Sequence, residues 1–324
     1  ARFCNKVADQ HGRLALGAGA LVNAKDPDMP DRLFDEKTLR KLEKLTLVAS
    51  RVRAGVMKGE RRSTKRGTSI EFADYRNYAR GDDLRRLDWN IFARLERPFI
   101  KLLEEEEDLA VHLLIDASES MNWPHESDEQ NKFRFAQRVL AGLAYISLGT
   151  GDQLTVAELG GQKTVWGPYR GRGYTFSLLD FVGKMKTAGE TDLSGDLKSY
   201  ALHGSRPGLC LLISDLLSPT GYQDGIAALQ GRGYEVGLIH VLSPDEVQPQ
   251  LSGDLQLIDV ETEIAQNVSV DTAMHDLYIQ RLLAWRDEIG VNCLRRGVHY
   301  ATVETSTPWE ELILFELRRL GVVR

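Results

Sequence analysis

Residues 109–120 read LAVHLLIDASES: an apolar run broken only by His112, closed by Asp116-Ala117-Ser118-Glu119-Ser120. A short apolar run bounded by small polar residues is the pattern of a strand buried on both faces. Downstream of it, strand patterns at about 153–159, 208–214, 234–242 and 298–304 alternate with helical periodicity. The helices fall at about 131–149, 174–187, 193–203, 221–231, 272–290 and 308–320. That alternation predicts an α/β domain over residues 108–324, built on a doubly wound, mostly parallel sheet of Rossmann type. Residues 251–271 read as a β ribbon inserted before the long helix.

In a sheet of this kind the ligand crevice lies at the carboxyl ends of the strands, where the strand order reverses. The DASES loop follows such an end. Alternate residues of an extended segment point to one side, so Asp116, Ser118 and Ser120 present a carboxylate and two hydroxyls together. Thr191, in the loop Gly189-Glu190-Thr191-Asp192, and Asp215, at the end of Leu211-Leu212-Ile213-Ser214-Asp215, add two further oxygen donors. Oxygen-only donors suit a hard divalent cation, Mg²⁺ or Mn²⁺. A bland reading competes, because Asp and Ser at a strand end also cap the segment that follows.

Working outward, 42% apolar and 27% charged residues in a chain of 324 describe a globular protein and exclude a disordered or fibrous one. Cys4, Cys210 and Cys293 are odd in number and far apart, which excludes a disulfide framework or structural zinc and points to the reducing cytoplasm. No apolar run reaches the roughly 18–20 residues of a membrane span. Leu14 to Val22 follows Arg2, Lys6 and Arg13 like a weak signal segment, but Asp9, Gln10 and His11 oppose that reading. Residues 1–34 are therefore expected to be a flexible leader, ending in Asp26-Pro27-Asp28-Met29-Pro30. Residues 35–107 are expected to form an N-terminal helix and a small β-containing segment. Asp35 caps the helix, and Leu39, Leu42, Leu45, Val48 and Val52 make its apolar stripe.

Charge is unevenly spread: residues 1–100 hold 22 Lys/Arg against 14 Asp/Glu, a net +8, while the remainder carries −14 of the overall −6. The stretch Arg51–Lys101 interleaves arginines with Phe72, Tyr75, Tyr78 and Trp89, as a nucleic-acid surface does. It also holds Glu71, Asp74, Asp82, Asp83 and Asp88, and mixed signs favour internal pairing over nucleic acid. Asp88-Trp89, closing the segment Arg85–Trp89, is expected to anchor it with Trp89 buried. Glu104 to Asp108, five consecutive acids, reads as a solvated strand entry or a docking patch for a basic partner.

Other chemistries fare worse. His112, His125 and His240 lack metal-ligand spacing, and His112 in a buried strand reads as a satisfied core residue. A metal-dependent hydrolase built on Asp116 and Asp215 lacks an evident base. There is no GxxxxGK[ST] string, and Gly171-Arg172-Gly173 is too short for a phosphate loop, so the chain is not expected to hydrolyse ATP.

The sequence D-x-S-x-S, a loop threonine and a strand-end aspartate resemble the metal-ion-dependent adhesion site of von Willebrand factor A-like domains. By that resemblance Ser118, Ser120 and Thr191 bind the metal directly, and Asp116 and Asp215 hold its waters or ligate it. Gly59-Glu-Arg-Arg-Ser63, Glu71-Phe-Ala-Asp-Tyr-Arg76, Gly81-Asp-Asp83, Arg86-Leu-Asp-Trp89 and Ala93-Arg94, read with the DASES loop, resemble the bacterial domain-of-unknown-function family 58. The resemblance covers roughly residues 35–324 and implies a von Willebrand A-like domain. It further implies a MoxR-type AAA+ ATPase partner. Many members carry N-terminal membrane helices, so this chain looks like the soluble branch. The function expected is non-catalytic: a metal-dependent protein-interaction module, an adaptor through which the ATPase remodels or matures a client protein that supplies a carboxylate to the metal.

Overall fold

The computed structural model describes residues 36–49, 70–79, 82, 84, 87–105, 109–204, 206–250, 253–258 and 265–324, so the expected leader lies outside the described residues. Contacts divide the chain into two units, one of residues 1–57 with 109–324 and one of residues 58–108.

The first helix, α1 (Glu36–Leu42), is shorter than its apolar stripe. Leu45, Leu47 and Val48 are buried without being helical. Leu47 instead forms an antiparallel bridge with Val323, and Thr46 and Arg324 exchange backbone hydrogen bonds of 2.9 Å each way. Pairing with the C-terminal backbone buries the same leucines as a longer helix would, and tertiary contact overrides the periodicity. This segment accordingly belongs with the α/β unit and not with the β segment that follows it.

In the smaller unit, β1 (Ile70–Asn77) pairs antiparallel with β2 (Phe99–Glu105) across a register shift between Phe72 and Asp74. Between them lies α2 (Trp89–Leu95). Asp88 caps it, accepting from Asn90 N at 2.9 Å and Ile91 N at 3.2 Å. Asp88 is buried, whereas Trp89 is 63% exposed, edge-on to Phe92. The expected burial of Trp89 is thus incorrect. The Asp-Trp pair is a helix start, and a cap fixes the first helical residue without requiring its side chain to be covered.

In the larger unit the strands and helices run β3 (Ala110–Asp116), α3 (Lys132–Thr150), β4 (Gln153–Leu159), β5 (Val165–Arg170), α4 (Thr175–Lys184) and α5 (Leu193–His203). They continue through β6 (Leu209–Ser214), α6 (Gln223–Gly231), β7 (Glu235–Leu242), the ribbon β8 (Gly253–Ile258) and β9 (Ala265–Val270), α7 (Thr272–Arg296) and β10 (His299–Glu304). A final helical stretch passes from Trp309–Glu311 through a π-helical turn, Leu312–Glu316, to Leu317–Arg319. The sheet order is β10-β7-β6-β3-β4-β5, parallel except for β5. From β3 the order runs outward through β4 and β5 on one side and through β6, β7 and β10 on the other, so it reverses between β3 and β6.

The period of two along a strand divides the core. Val111, Leu113 and Ile115 pack with Phe135 and Val139 of α3, Leu178 and Val182 of α4, and Trp309 and Ile313. Leu114 and Leu212 pack on the other face with Leu197 of α5, Ile226 and Leu229 of α6, and Ile289 and Cys293 of α7. Helices therefore cover both faces, and the fold is the expected doubly wound α/β sheet. Strand β5 is unmarked by sequence pattern because Gly167 and Pro168 interrupt it. Proline is tolerated on an edge strand and at a break in register, and β5 has both.

Candidate metal centre

The two carboxylates stand on either side of the order reversal. Asp116 is the last residue of β3 and Asp215 follows β6, and both are buried. Past Asp116 the chain is pinned by backbone bonds. Ala117 N donates to Leu159 O at 2.8 Å, Ala188 N donates to Ala117 O at 3.0 Å, and Glu119 N donates to Gly189 O at 2.9 Å. These bonds draw the loop before α5 onto the DASES loop. Ser218 Oγ then donates to Thr191 O at 2.6 Å and ties the same loop to the segment after β6. All five residues expected at the site are thus carried by three adjoining segments at the carboxyl end of the sheet, and all five are buried.

Their polar atoms are arranged as follows. Asp116 Oδ1 accepts from Ser118 N at 3.0 Å and Oδ2 accepts from Ser214 Oγ at 2.6 Å. Ser118 Oγ and Ser120 Oγ share a hydrogen bond of 2.9 Å. Asp215 Oδ1 accepts from Leu217 N at 3.1 Å, and Oδ2 accepts from Lys132 Nζ at 2.8 Å. Leu216, at φ 59°, holds the left-handed conformation that a non-glycine residue adopts only under constraint. Thr191 Oγ1 is buried and has no hydrogen-bond partner. Its side chain lies so close to Gly160, at φ +72°, that a Cβ there would overlap the hydroxyl oxygen.

Lys132 is the member that sequence reading missed. It is the first residue of α3, fully buried, and its ammonium bridges Asp215 and Glu246, the latter at 2.6 Å. Glu246 is positioned by a capping box with Ser243 on the single turn Pro244–Val247. The pattern around Lys132 is that of a helix start, where lysine is ordinarily solvated. Only the tertiary approach of Asp215 and Glu246 marks it. Burial opposes the charge on Lys132, yet the two carboxylates outweigh burial and hold its pKa above the usual lysine value. Burial likewise acts against Asp215, but the Lys132 ammonium holds its carboxyl below the usual range. Asp116 has no cation, and burial, followed by the Asp215 charge, pushes it up to about 6.

Three features fit a hard divalent ion. Adjacent ligands of an octahedral ion with bonds near 2.0–2.1 Å lie about 2.9 Å apart, the separation of the two serine hydroxyls. The Thr191 hydroxyl is a buried oxygen that nothing else satisfies, which is costly unless a ligand engages it. Lys132 faces Asp215 and Glu246, which leaves the buried Asp116 carboxylate without a counter-charge, an imbalance that a cation would offset. The donor set is rich in hydroxyls; among the described residues no group of three or more His, Cys, Asp and Glu side chains could hold a metal.

His112 and His240 serve the core, whereas His125 is exposed. His112 contacts Tyr200 Oη at 2.8 Å through Nδ1 and Arg206 O at 3.0 Å through Nε2, as expected of a satisfied buried residue. His240 pairs with Tyr300 Oη at 2.9 Å, is fully buried and stands edge-on to Trp285. Burial lowers His112 to about 4 and His240 to about 3, so both are neutral near pH 7.

Residues 74–286, more than half of the chain, match the family described as a protein of unknown function, DUF58. The chain belongs to this family. Uncharacterised proteins of Mycobacterium tuberculosis and Mycobacterium bovis are each 26% identical over 279 residues, 85% of this chain and 87% of theirs. An uncharacterised protein of Mycobacterium avium is 30% identical over 134 residues, 41% of this chain and 79% of its own. Among solved structures, the conserved hypothetical protein BatB from Bacteroides thetaiotaomicron is similar, with a TM-score of 0.38 and 14% identity over 66% of this chain and 98% of that one. An aerotolerance-related membrane protein from Bacteroides fragilis has a TM-score of 0.36 and 15% identity over 65% and 99% of the two chains. Among the described residues of this DUF58 protein, no helix is long and apolar enough to cross a membrane.

Proposed function

We propose that this DUF58 protein is a metal-dependent protein-interaction module with a von Willebrand A-like centre. The observation that carries the reading is the pair of hydroxyls 2.9 Å apart at the order reversal, joined by the unsatisfied Thr191 hydroxyl. Ser118, Ser120 and Thr191 would hold Mg²⁺ or Mn²⁺, with Asp116 and Asp215 beside it. The ion supplies Lewis-acid affinity for a carboxylate of a client protein. The chain's own residues do the positioning: Ser214 and the Ser118 amide orient Asp116, Lys132 and the Leu217 amide orient Asp215, and the Ala117 and Glu119 amides hold the loops together. A hydrolytic role is less well supported, because His240, the histidine beside Asp215, is sealed in the core and lowered to about 3, too weak a base near pH 7. Nucleic-acid binding rests on Arg51–Lys101, of which residues 51–69 lie outside the described residues.

Partner and setting belong to the same proposal. The resemblance carried by the motifs in residues 59–94 supports an adaptor role with a MoxR-type AAA+ ATPase, and the odd number and wide spacing of the cysteines support a cytoplasmic location. Titration calorimetry of Mg²⁺ into EDTA-stripped protein, followed by capture of the ATPase with and without EDTA, tests it. Wild type is expected to bind the ion, and the Ser118→Ala/Ser120→Ala double variant is expected to lose it. Equal capture without metal, together with an Asp116→Ala variant that behaves as wild type, would refute the mechanism.

A further inference from the structure

The two carboxylates of the site, interchangeable in sequence, are held by different chemistry. Both oxygens of Asp116 are engaged only by neutral donors, the Ser118 amide and the Ser214 hydroxyl. Asp215 is paired with the ammonium of Lys132, whose side chain is wholly buried and which is shared with Glu246 on its far side. A lysine costs several rotamers and a large desolvation penalty to bury, so its placement beside one carboxylate and not the other has a consequence for any ion bound there.

We infer that Lys132 is the specificity-determining residue of this centre, a built-in cation that withholds Asp215 from the metal and thereby reserves the ion's residual positive charge for a carboxylate brought by the partner. The inference rests on the metal-binding reading above and deepens it. With Asp215 neutralised by Lys132, Asp116 is the uncompensated carboxylate at the ion, and a divalent cation held there retains net charge. Such a site binds metal weakly by itself and more strongly when an external anion is present. Glu246 tempers the effect by drawing on the same ammonium from the other side. Removing the charge of Glu246 leaves Lys132 wholly to Asp215, whereas removing Lys132 releases Asp215 to the ion. The two changes therefore act in opposite directions on metal affinity, and the dependence of that affinity on an added carboxylate separates the proposed role from a simple change of net charge.

Calorimetric titration of Mg²⁺ into the full chain, with and without sodium acetate as a carboxylate probe, provides the test on wild type, Lys132→Met and Glu246→Gln. Lys132→Met is expected to bind Mg²⁺ at least about tenfold more tightly than wild type, since a charge change at this range in a partly buried site has effects of that size or larger. Its affinity should depend less on acetate. Glu246→Gln, whose remaining oxygen can still accept from the Ser243 amide but whose NH2 no longer accepts from Lys132, is expected to bind Mg²⁺ several-fold more weakly and to gain more from acetate. Shifts in the same direction, or no shift in folded variants, overturn the inference while leaving the metal site intact. A wild type that binds no Mg²⁺ with or without acetate overturns the metal reading and this inference with it. Should Lys132→Met fail to fold, Glu246→Gln decides alone: weaker binding with a larger gain from acetate than wild type sustains the proposal, and unchanged or tighter binding, or no larger gain from acetate, refutes it.

Discussion

Thr191 shows at the scale of one residue how function and stability separate. Its hydroxyl is buried without a partner, so the folded protein carries a desolvation cost that no internal bond offsets. Thr191→Val keeps the shape and removes that oxygen. The variant is expected to melt at or above the wild-type temperature without metal, with a gain of up to about 1 kcal/mol. It should lose most of the Mg²⁺-induced rise in melting temperature expected of wild type, so thermal melts with Mg²⁺ and with EDTA check both halves. Thr191 was legible in sequence only as a loop threonine ahead of a helix. Asp116, Ser118 and Ser120 were more legible, because a strand end followed by alternating polar residues predicts a common direction whatever the rest of the fold does. Lys132 was invisible, since a lysine at a helix start carries no local sign that two carboxylates distant in sequence will enclose it.

Elements show where local pattern suffices and where neighbours decide. Helix α3 declares itself: Asn131 caps it through Arg134 N, its apolar positions recur at helical spacing, and Gly151 ends it at φ 82°. One position within it is set by another element. A Cβ added at Gly142 would lie 2.8 Å from Trp309 Cζ3 and 2.9 Å from Ile313 Cδ1, so this glycine is the notch that seats the C-terminal helical stretch. Gly142→Val is expected to destabilise the protein by about 1–3 kcal/mol through overpacking, measured by urea denaturation, although the substitution removes a helix-weakening glycine. Metal affinity should be unaffected in the folded fraction, because the notch contacts Trp309 and Ile313 and lies about 15 Å along the helix from Lys132. The same logic explains α1, whose leucine stripe promised a longer helix and was instead divided between a short helix and a pairing with Val323.

For the whole molecule the relevant quantity is the proton balance between folded and unfolded chains. His112 is lowered by burial to about 4 when folded and returns to about 6.5 when unfolded. Between those values the unfolded chain holds the extra proton, so stability is fully present above about pH 6.5 and falls as pH drops towards 4. The loss attributable to His112 is about 3 kcal/mol across that window, and His240, lowered further, acts with the same sign. Urea denaturation at pH 7 and at pH 4.5 should show wild type losing more stability than His112→Gln; parallel losses would contradict the assignment. At this scale the division between sequence and structure is clear. Apolar periodicity is a local property, so the chain by itself determined the alternating strands and helices, the doubly wound class and the candidate loop at the strand end. Strand order, the pairing of Asp215 with Lys132, the exposure of Trp89 and the short α1 depend on which distant segments meet. Those contacts are decided by packing and charge compensation in three dimensions, and only the tertiary structure reveals them.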